Sequence, residues 1–426
     1  MKKEVYPSIL KGSIAAPGSK SIAQRFIAAA LLAPGESEIK NYPDSTDCVA
    51  ALNVAQTLGA VIVKTGSDIR IKGGFPNNDE SGIRIAKNQI LCGESGLASR
   101  MFTPIAALAD EAIEVRGEGS LLTRPFTEFD HVIPALGAKC KTSSGRLPVS
   151  VQGPLSGGKA TLDGSISSQF LTGLLLALPT AKQDSELIVK SLTSIPYVQM
   201  TMEVAAMAGV EITTSDYERF IIKGNQVYKP INTTVPGDWS GAAFLIAAAA
   251  IAAEEGVEVT NLSNVITQAD SRIVEVLRLS GVEHVAYSDR VFVKQSEINA
   301  FQFDATNCPD LVPPIVALAA YGNGVSTIKG AKRLLHKESN RAKALQDEFT
   351  KANIRVVVRE DELMVYPSYV RPATINSHND HRIAMAAALL GLGGDKITIQ
   401  GAESVNKSFP AFFEAVASLG GKVYSK

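Results

Sequence analysis

A short polar turn that leads into an alanine- and leucine-rich segment occurs six times along this chain, and no other feature constrains its fold as strongly. The turns begin at intervals of about 70 to 76 residues. Their first residues are Ser19, Ser95, Ser167, Asp238, Asp310 and Asp380. Because self-similarity at a fixed spacing marks a repeated structural unit, the chain is predicted to contain six such units.

A second pattern recurs with nearly the same period, in which an amphipathic segment ends at Gly or Asn and a β-rich run follows. The six endings are Leu58-Gly-Ala60, Leu136-Gly-Ala138, Ala208-Gly-Val210, Ser280-Gly-Val282, Ala352-Asn-Ile354 and Leu419-Gly-Gly421. Gly or Asn directly after a helical pattern is a C-terminal cap signal, and runs such as 354–358 favour strands. Each unit is therefore predicted to hold two helices and several strands.

The length of the chain predicts two domains. A chain of 426 residues exceeds what one hydrophobic core usually organises, so three repeated units fall to each domain. The strongest internal match sets the segment from Pro17 against the segment from Pro236, which indicates that the second half restarts there. The strand-like segment from Val5 to Ile14 precedes the first unit and could pair with either half.

Composition excludes several classes of function. The 42 Lys and Arg residues balance 43 Asp and Glu residues, so no overall charge draws the chain to nucleic acid or to an anionic membrane. The four cysteines form no CxxC pair, which predicts free thiols in a reducing compartment. We see no targeting segment, and the most apolar stretch, 242–253, is shorter than the roughly 20 residues that span a bilayer. A cytoplasmic protein is expected.

The predicted helix starts carry basic side chains. The first turn of a helix offers unpaired N–H groups that bind phosphate or carboxylate. Taken singly, Ser19, Ser95, Ser167, Asp238 and Asp380 are explained as N-caps. Cations beside buried helices need anionic partners, however, and as a set they indicate a polyanion pocket. These cations are Lys20, Arg25, Arg100, Arg124, Lys337, Arg341, Arg382 and Lys407.

Two weaker motifs do not indicate a cofactor. The run His378-Asn-Asp-His381 lacks HExxH spacing and a third ligand cluster, so Asp380 and His381 are interpreted as helix-start residues rather than metal ligands. The lone Gly117-Glu-Gly119 lacks the third glycine of a dinucleotide-binding turn, and no phosphate-binding Walker motif is present. Neither a metal nor another cofactor is expected.

Eight motifs in order along nearly the whole chain resemble the bacterial EPSP synthase family. They are Pro17-Gly-Ser-Lys-Ser-Ile-Ala-Gln-Arg25, Leu122-Thr-Arg-Pro125, Ser167-Ser-Gln-Phe-Leu171, Ser194 with Pro196-Tyr197, Pro309-Asp310, Lys337-Glu-Ser-Asn-Arg341, Asn379-Asp-His-Arg382 and Lys407-Ser-Phe-Pro410. The resemblance implies an α/β fold of two similar globular domains, each of three βαβαββ repeats around a pseudo-threefold axis. One domain would be 19–235, mainly on the shikimate 3-phosphate side. The other would combine 1–18 with 236–426 and supply the catalytic carboxylates and the phosphoenolpyruvate side of a cleft.

The resemblance also implies the site residues and the reaction. Shikimate 3-phosphate would contact Lys20, Ser21, Arg25, Ser167, Ser168, Gln169, Ser194, Asp310 and Lys337. Phosphoenolpyruvate would contact Lys20, Gly96, Arg124, Gln169, Arg341, Arg382 and Lys407. In the implied reaction the enolpyruvyl group moves to the 5-hydroxyl of shikimate 3-phosphate, through a tetrahedral intermediate that then eliminates phosphate. The partners would be these two small molecules alone, with no nucleic acid and no membrane, and the chain would be a monomer.

Proton transfer in such a reaction needs an acid and a base. Asp310 is assigned to the hydroxyl group, Glu338 and Lys20 to the methylene carbon and leaving phosphate, and His381 to the support of Glu338. Two positions depart from the common family pattern. Glu94 replaces an asparagine near the expected phosphoenolpyruvate site, which leaves its contact and the response to the family's inhibitor glyphosate open. Arg333 likewise stands where asparagine is expected.

Two other functions are weighed against this one. The sister enzyme that transfers enolpyruvate to UDP-N-acetylglucosamine uses a reactive cysteine in the region that corresponds to 116–124, and this chain has no cysteine there. A non-catalytic binding module on the same fold is the other alternative. Such a module would not need Asp310 or Glu338, yet both are present with all of the matching cations.

Overall fold

The computed structural model describes residues 1–75 and 87–426. Its backbone contacts divide the chain into two compact units, one formed by 1–17 together with 236–426 and the other by 18–235. The chain therefore passes between the units twice. The first passage falls between Pro17 and Gly18, and the second falls between Val235 and Pro236, which begins the pair Pro236-Gly237. Each unit contains its own central helices and three small sheets.

Helices alternate between two kinds within the described part of the chain. The odd-numbered helices are almost wholly buried and follow the predicted polar turns, whereas the even-numbered helices are amphipathic. In the unit 18–235 they are α1 (Lys20–Leu32), α2 (Thr46–Thr57), α3 (Gly96–Ala106), α4 (Phe129–Ala135), α5 (Gln169–Ala177) and α6 (Ile195–Met207). In the other unit they are α7 (Trp239–Ala252), α8 (Ile273–Leu279), α9 (Val312–Ala319), α10 (Arg341–Lys351), α11 (His381–Gly393) and α12 (Phe412–Ser418).

Small residues allow the buried helices to pack closely. A Cβ atom at Gly173 of α5 would lie 2.6 Å from the carbonyl oxygen of Arg100 in α3. Only glycine permits that approach of the two backbones, which explains why the segments are rich in small residues.

Three four-stranded sheets form in the unit 18–235. In spatial order they are β14-β3-β5-β4, β6-β7-β9-β8 and β10-β11-β13-β12. The strands are β3 (Gly35–Lys40), β4 (Val61–Thr65), β5 (Asp68–Gly73), β6 (Gln89–Leu91), β7 (Ala112–Arg116), β8 (Lys139–Ser143), β9 (Arg146–Gln152), β10 (Gly158–Asp163), β11 (Ser185–Lys190), β12 (Ile212–Thr214), β13 (Arg219–Ile222) and β14 (Asn232–Thr234).

The other unit also has three such sheets, ordered β16-β17-β15-β2, β18-β19-β21-β20 and β22-β23-β1-β24. Their strands are β1 (Lys2–Tyr6), β2 (Gly12–Ala15), β15 (Val257–Thr260), β16 (His284–Ala286), β17 (Val291–Val293), β18 (Gln302–Asp304), β19 (Ser326–Lys329), β20 (Arg355–Arg359), β21 (Glu362–Tyr366), β22 (Ala373–Asn376), β23 (Ile397–Gln400) and β24 (Lys422–Ser425). All six sheets combine one parallel pair with two antiparallel pairs. The predicted α/β fold of repeated βαβαββ units is confirmed.

The six predicted helix endings coincide with the ends of the even-numbered helices. Each helix is capped by the first residue of its predicted ending, from Leu58 after α2 to Leu419 after α12. The next residue has a positive φ in every case, a conformation in which Gly and Asn are favoured. These residues are Gly59, Gly137, Gly209, Gly281, Asn353 and Gly420.

The predicted helix starts are confirmed with two shifts of one residue, the first of which makes Leu311 rather than Asp310 the N-cap of α9. Ser95, Asp238 and Asp380 are N-caps whose side chains accept backbone N–H bonds. Ser168, not Ser167, caps α5, although Ser167 Oγ accepts the N–H of Gln169 at 3.3 Å. The sequence offers two adjacent serines with equal capping ability, so the pattern does not distinguish them.

The N-terminal segment pairs within the unit 236–426. Strand β1 lies between β23 and β24, with Val5 opposite Ile397 and Val423. Strand β2 runs parallel to β15, with Ile14 opposite Val259. The pairing that the sequence left open is therefore resolved in favour of the C-terminal half.

Candidate active site

The largest group of predicted site residues in the unit formed by 1–17 and 236–426 surrounds Asp310. Asp310 lies in a single 3₁₀ turn (Pro309–Leu311) before α9. Arg341 Nη1 donates to Asp310 Oδ1 at 2.7 Å, and Arg382 Nη2 donates to Oδ2 at 3.1 Å. Lys337 Nζ lies 3.5 Å from Oδ1. Three cations thus converge on one carboxylate.

Arg341, the first residue of α10, connects the carboxylates of this group. Its side chain is 1% exposed, and Nε donates to Asp380 Oδ2 at 2.8 Å. Nη2 forms an ion pair with Glu338. Asp380 also caps α11 through the N–H of Arg382. We define the Asp310 cluster as Asp310, Lys337, Glu338, Arg341, Asp380 and Arg382, in which three cations balance three carboxylates.

The electrostatics of the cluster set the protonation of Asp310. Burial alone would raise the pKa of this carboxyl group. The nearby charges of Arg382, Lys337 and Arg341 outweigh burial and the repulsion of Glu338, and they hold the pKa of Asp310 well below its usual range. Burial lowers the pKa of Lys337, although the attraction of Asp310 opposes that shift. The three cations therefore favour the ionised form of Asp310.

Two predicted residues lie next to the cluster. Lys407, which is 8% exposed, donates from Nζ to the carbonyl oxygen of Asn379 at 2.7 Å. His381 is 1% exposed, and its Nδ1 lies 3.8 Å from Asp380 Oδ1. The turn before α11 therefore contacts Lys407 through its backbone and Arg341 through Asp380. Arg333 also interacts electrostatically with Asp310. Burial lowers the pKa of Arg333, and the charge of Asp310 opposes that shift.

In the unit 18–235 the predicted cation Lys20 begins α1 and is largely buried. Its Nζ donates to Asp47 Oδ2 at 2.9 Å, with the two side chains 14% and 11% exposed. Asp47 lies in the first turn of α2. Lys20 thus places a cation at the first turn of α1, where unpaired N–H groups also favour anions, which suits a ligand-binding role.

Arg25 is 1% exposed and connects three helices of this unit. Nε donates to Thr201 Oγ1 in α6 at 2.9 Å, and Nη2 donates to Thr172 Oγ1 in α5 at 3.3 Å. Nη1 donates to the carbonyl oxygen of Ser21, one turn earlier in α1. Burial lowers the pKa of Arg25 to about 10, so the guanidinium remains charged at neutral pH. The side chain fixes the position of the first turn of α1, which carries Lys20 and Ser21.

A second basic group forms around Gly96, the first residue of α3. A Cβ atom placed on Gly96 would lie 2.6 Å from Arg124 Nη1 and 3.4 Å from Gln169 Oε1. Arg100 Nη1 donates to that same Gln169 oxygen at 2.9 Å. The guanidinium of Arg100 also stacks near the ring of Phe170, at 5.0 Å from its centroid. We call Gly96, Arg100, Arg124 and Gln169 the Gly96 cluster.

Glu94 borders the Gly96 cluster and is held by a neighbouring turn. Its Oε2 accepts bonds of 3.1 Å from both the N–H and the hydroxyl of Ser120. Gly119 has a φ of +52°, and a Cβ there would lie 2.5 Å from Glu94 Cδ. The acid that departs from the family pattern therefore binds the turn that precedes Arg124.

The remaining predicted residues, Ser168 and Ser194, stand at the starts of α5 and α6. Ser194 has a φ of +59° and accepts the backbone N–H of Tyr197. A serine in the left-handed region is uncommon, and such conformations concentrate at functional sites.

Sequence reasoning missed three residues that contact or neighbour these groups. Asp47 pairs with Lys20, and Arg100, noted as a cation but assigned to no ligand, binds Gln169. Asp270 is 2% exposed and accepts a hydrogen bond from the hydroxyl of Ser240. Burial and the charge of Asp310 raise the pKa of Asp270 to about 7, against the opposing effects of Arg382 and Ser240. No local motif marks Asp270, because Ser240 lies 30 positions away and Asp310 and Arg382 lie in other repeats.

Asp270→Asn is expected to stabilise the fold more at high pH than at low pH. The folded-state pKa of Asp270 is raised, so ionisation penalises folding increasingly from about pH 4 to about pH 7 and fully above it. A neutral amide removes that penalty. The stability gain should therefore grow by about 2 kcal/mol between pH 5.5 and pH 8. Urea unfolding at the two pH values measures it, with the exposed Asp289→Asn as control, and an equal gain at both would contradict the raised pKa.

Solved structures of other proteins share this architecture. The two units, each with three repeated sheets, have the fold of the enolpyruvyl transferases. The chain resembles the EPSP synthase structure from Acinetobacter baumannii with a TM-score of 0.82 at 24% identity, over 100% of both chains. It resembles the enolpyruvyl transferase NikO from Streptomyces tendae with a TM-score of 0.77 at 18% identity, over 99% and 98% of the two chains.

Sequence comparison gives the family. The profile of EPSP synthase (3-phosphoshikimate 1-carboxyvinyltransferase) matches residues 6–416. The 3-phosphoshikimate 1-carboxyvinyltransferase of Clostridium kluyveri is 36% identical over 98% of this chain and 97% of its own. That of Clostridioides difficile is 34% identical over 99% and 98%. The chain belongs to the EPSP synthase family, and the predicted resemblance is confirmed.

Within 1–75 and 87–426, no helix is both long enough and apolar enough to cross a membrane. The same residues contain no group of three or more His, Cys, Asp or Glu side chains placed to hold a metal ion. The four cysteines are free thiols, as the sequence predicted.

Proposed function

We propose that this protein transfers the enolpyruvyl group of phosphoenolpyruvate to the 5-hydroxyl of shikimate 3-phosphate, giving 5-enolpyruvylshikimate 3-phosphate and phosphate. One observation carries the proposal. Asp310 and Glu338 are both held by the buried Arg341, beside Lys337 and Arg382. Carboxylates for proton transfer and cations for phosphate and carboxylate groups thus occur together, as this reaction requires.

The proposal assigns substrate contacts to the residues described above. Shikimate 3-phosphate would be bound by Lys20, Ser21, Arg25, Ser167, Ser168, Gln169, Ser194, Asp310 and Lys337. Phosphoenolpyruvate would be bound by Lys20, Gly96, Arg124, Gln169, Arg341, Arg382 and Lys407. In this assignment the unit 18–235 serves mainly shikimate 3-phosphate. The unit formed by 1–17 and 236–426 supplies the catalytic carboxylates and most of the cations for phosphoenolpyruvate.

Asp310 would accept the proton of the attacking hydroxyl, although its cations make it a weak base in the unliganded protein. Phosphate and carboxylate groups of the substrates would compete for Arg341, Arg382 and Lys337. Each cation that turns to a substrate removes part of the charge that lowers the pKa of Asp310. Substrate binding would therefore raise the pKa of Asp310 before the hydroxyl proton is transferred to it.

The proton on the methylene carbon is assigned to Glu338 and Lys20. Glu338 is ion-paired with Arg341, and Lys20 with Asp47. Ion pairs hold both side chains in place. Because an ion pair can separate, either group can turn toward the substrate. In this scheme His381 supports Glu338, and His381 Nδ1 also lies 3.8 Å from Asp380 Oδ1. Addition protonates the carbon, and elimination removes a proton from the same carbon as phosphate leaves.

Phosphate release tests this proposal. The protein should release phosphate only when shikimate 3-phosphate and phosphoenolpyruvate are both present, and omission of either should abolish release. Release with UDP-N-acetylglucosamine as acceptor would instead support the sister activity. Binding of both anions without any product would support a non-catalytic module.

The proposal also takes the protein to be a cytoplasmic monomer that acts on small molecules without a cofactor, nucleic acid or membrane.

Gly96→Ala is expected to raise KM for phosphoenolpyruvate by about 10- to 100-fold with little loss of folding. The new methyl group would lie 2.6 Å from Arg124 Nη1 and would displace that guanidinium. A shift of about 1 Å in a binding group can cost as much as 10²-fold. Gly322→Ala, where the nearest atom lies at 3.3 Å, is the matched control and should leave KM within twofold. An unchanged KM in Gly96→Ala would exclude Arg124 from this contact.

A further inference from the structure

The turn 376–380, which connects β22 to α11, has an unusual backbone. His378 and Asn379 have φ values of +53° and +55°, so two successive non-glycine residues are left-handed. Such residues persist only where their surroundings fix them. Within the turn, Asn376 Oδ1 accepts the N–H of His378 at 2.7 Å, and Ser377 Oγ accepts the N–H of Asn379 at 3.2 Å.

Glu348 supports this turn from the neighbouring helix α10. The residue is 2% exposed, and Oε1 lies 2.8 Å from His378 Nε2. Oε2 accepts the backbone N–H of Asn376 at 2.8 Å and the ammonium of Lys351 at 2.6 Å. One buried carboxylate therefore binds the turn at its first residue, Asn376, and at the left-handed residue His378. Lys351 compensates the charge of that carboxylate.

The far side of the turn faces the proposed cations. The carbonyl oxygen of Asn379 accepts the bond from Lys407 Nζ, and Asp380 accepts the bond from Arg341 Nε. Glu348 lies seven residues after Arg341 on α10, close to two helical turns, so both side chains project from the same face. A rotation at His378 or Asn379 would move the Asn379 carbonyl away from Lys407.

We propose that Glu348 is a positioning residue for phosphoenolpyruvate, acting through the turn 376–380 to place Lys407 and Asp380. The inference rests on the proposed function, since it names the support for cations assigned to that substrate. Glu348 touches neither Lys407 nor Arg341 in the described contacts, so its effect passes through the backbone of the turn. The position of Arg341 should depend little on Glu348, because Arg341 has further bonds to Asp310 and Glu338.

The test compares KM for the two substrates. Glu348→Ala is expected to raise KM for phosphoenolpyruvate about tenfold and KM for shikimate 3-phosphate less than twofold, with kcat reduced less than threefold. Glu348→Gln keeps an acceptor for Asn376 and should give an intermediate value. Asp347→Ala changes the adjacent residue, whose side chain is 44% exposed and paired with Lys343. It is the matched control and should leave both constants unchanged.

A double-mutant cycle separates positioning from general loss of structure. In a Lys407→Met background, Glu348→Ala should raise KM for phosphoenolpyruvate less than twofold further, because both changes remove the same contact. Independent, multiplying effects, or equal rises in both KM values, would overturn the proposal. If Glu348→Ala does not fold, Glu348→Gln and His378→Ala provide the same comparison.

The outcomes also distinguish this inference from the proposed function. If the unaltered protein gives no product from the two substrates, the proposed function fails before any variant is compared. If the unaltered protein is active and Lys407→Met raises KM for phosphoenolpyruvate while folded Glu348 variants do not, only the positioning role fails.

Discussion

Asp310→Asn is expected to lower kcat by about 10² to 10⁴ while the fold is kept, which is the usual contribution of a positioned proton-transfer group. An amide has nearly the shape of the carboxylate, and its single oxygen can still accept a bond from Arg341 or Arg382, but it cannot take the hydroxyl proton. Single-turnover measurements with both substrates bound would isolate the chemical step.

The control for this change is Asp304→Asn, which alters an aspartate half exposed at the surface and paired with Lys329. It should leave kcat within twofold. Thermal unfolding should show that Asp310→Asn remains folded, because the Asp310 cluster retains the carboxylates of Glu338 and Asp380. If turnover of folded Asp310→Asn were close to normal, another group would have to accept the proton.

Arg341→Met is expected to destabilise the protein by about 3 to 5 kcal/mol, the usual cost of removing one partner from a buried ion pair. Methionine fills a similar length but leaves Asp380, which is fully buried, and Glu338 without their guanidinium. Urea unfolding would measure the loss. Arg371→Met removes an exposed arginine and should change stability by less than about 0.5 kcal/mol.

The pH dependence of the Arg341→Met variant provides an internal check. Carboxylates that lose their cation have a raised pKa in the folded state, so their penalty falls as the pH is lowered and they are protonated. The stability difference from the unaltered protein should therefore shrink between pH 8 and pH 5. A pH-independent difference would indicate that lost packing, rather than unpaired charge, causes the destabilisation.

The repeated architecture could be predicted from the sequence because its signals are local. A helix that ends at Gly59 or Asn353 is marked by the residue itself, since a positive φ after a helix favours these two residue types. The same holds for N-caps such as Asp238, whose side chain serves its own helix. Because the unit is repeated, each local signal occurs six times along the chain.

The partners of the site residues could not be predicted in this way. Asp47 reaches Lys20 and Glu348 reaches His378 only after helices and strands pack, and no spacing in the sequence encodes these distances. Asp270 illustrates the limit most clearly. Its raised pKa depends on burial and on Asp310, 40 positions later in the sequence. The family resemblance names residues that contact ligands, but it does not name those that hold them in place.

The pairing of β1 has a consequence for how the protein is made. This strand leaves the ribosome before β2 to β22, whereas β23 and β24, between which it lies, are synthesised after them. The unit 18–235, by contrast, has all of its strands once β14 has emerged. The two units are thus completed at different times, and strand β1 has neither of its neighbours until the other strands of its unit have been synthesised.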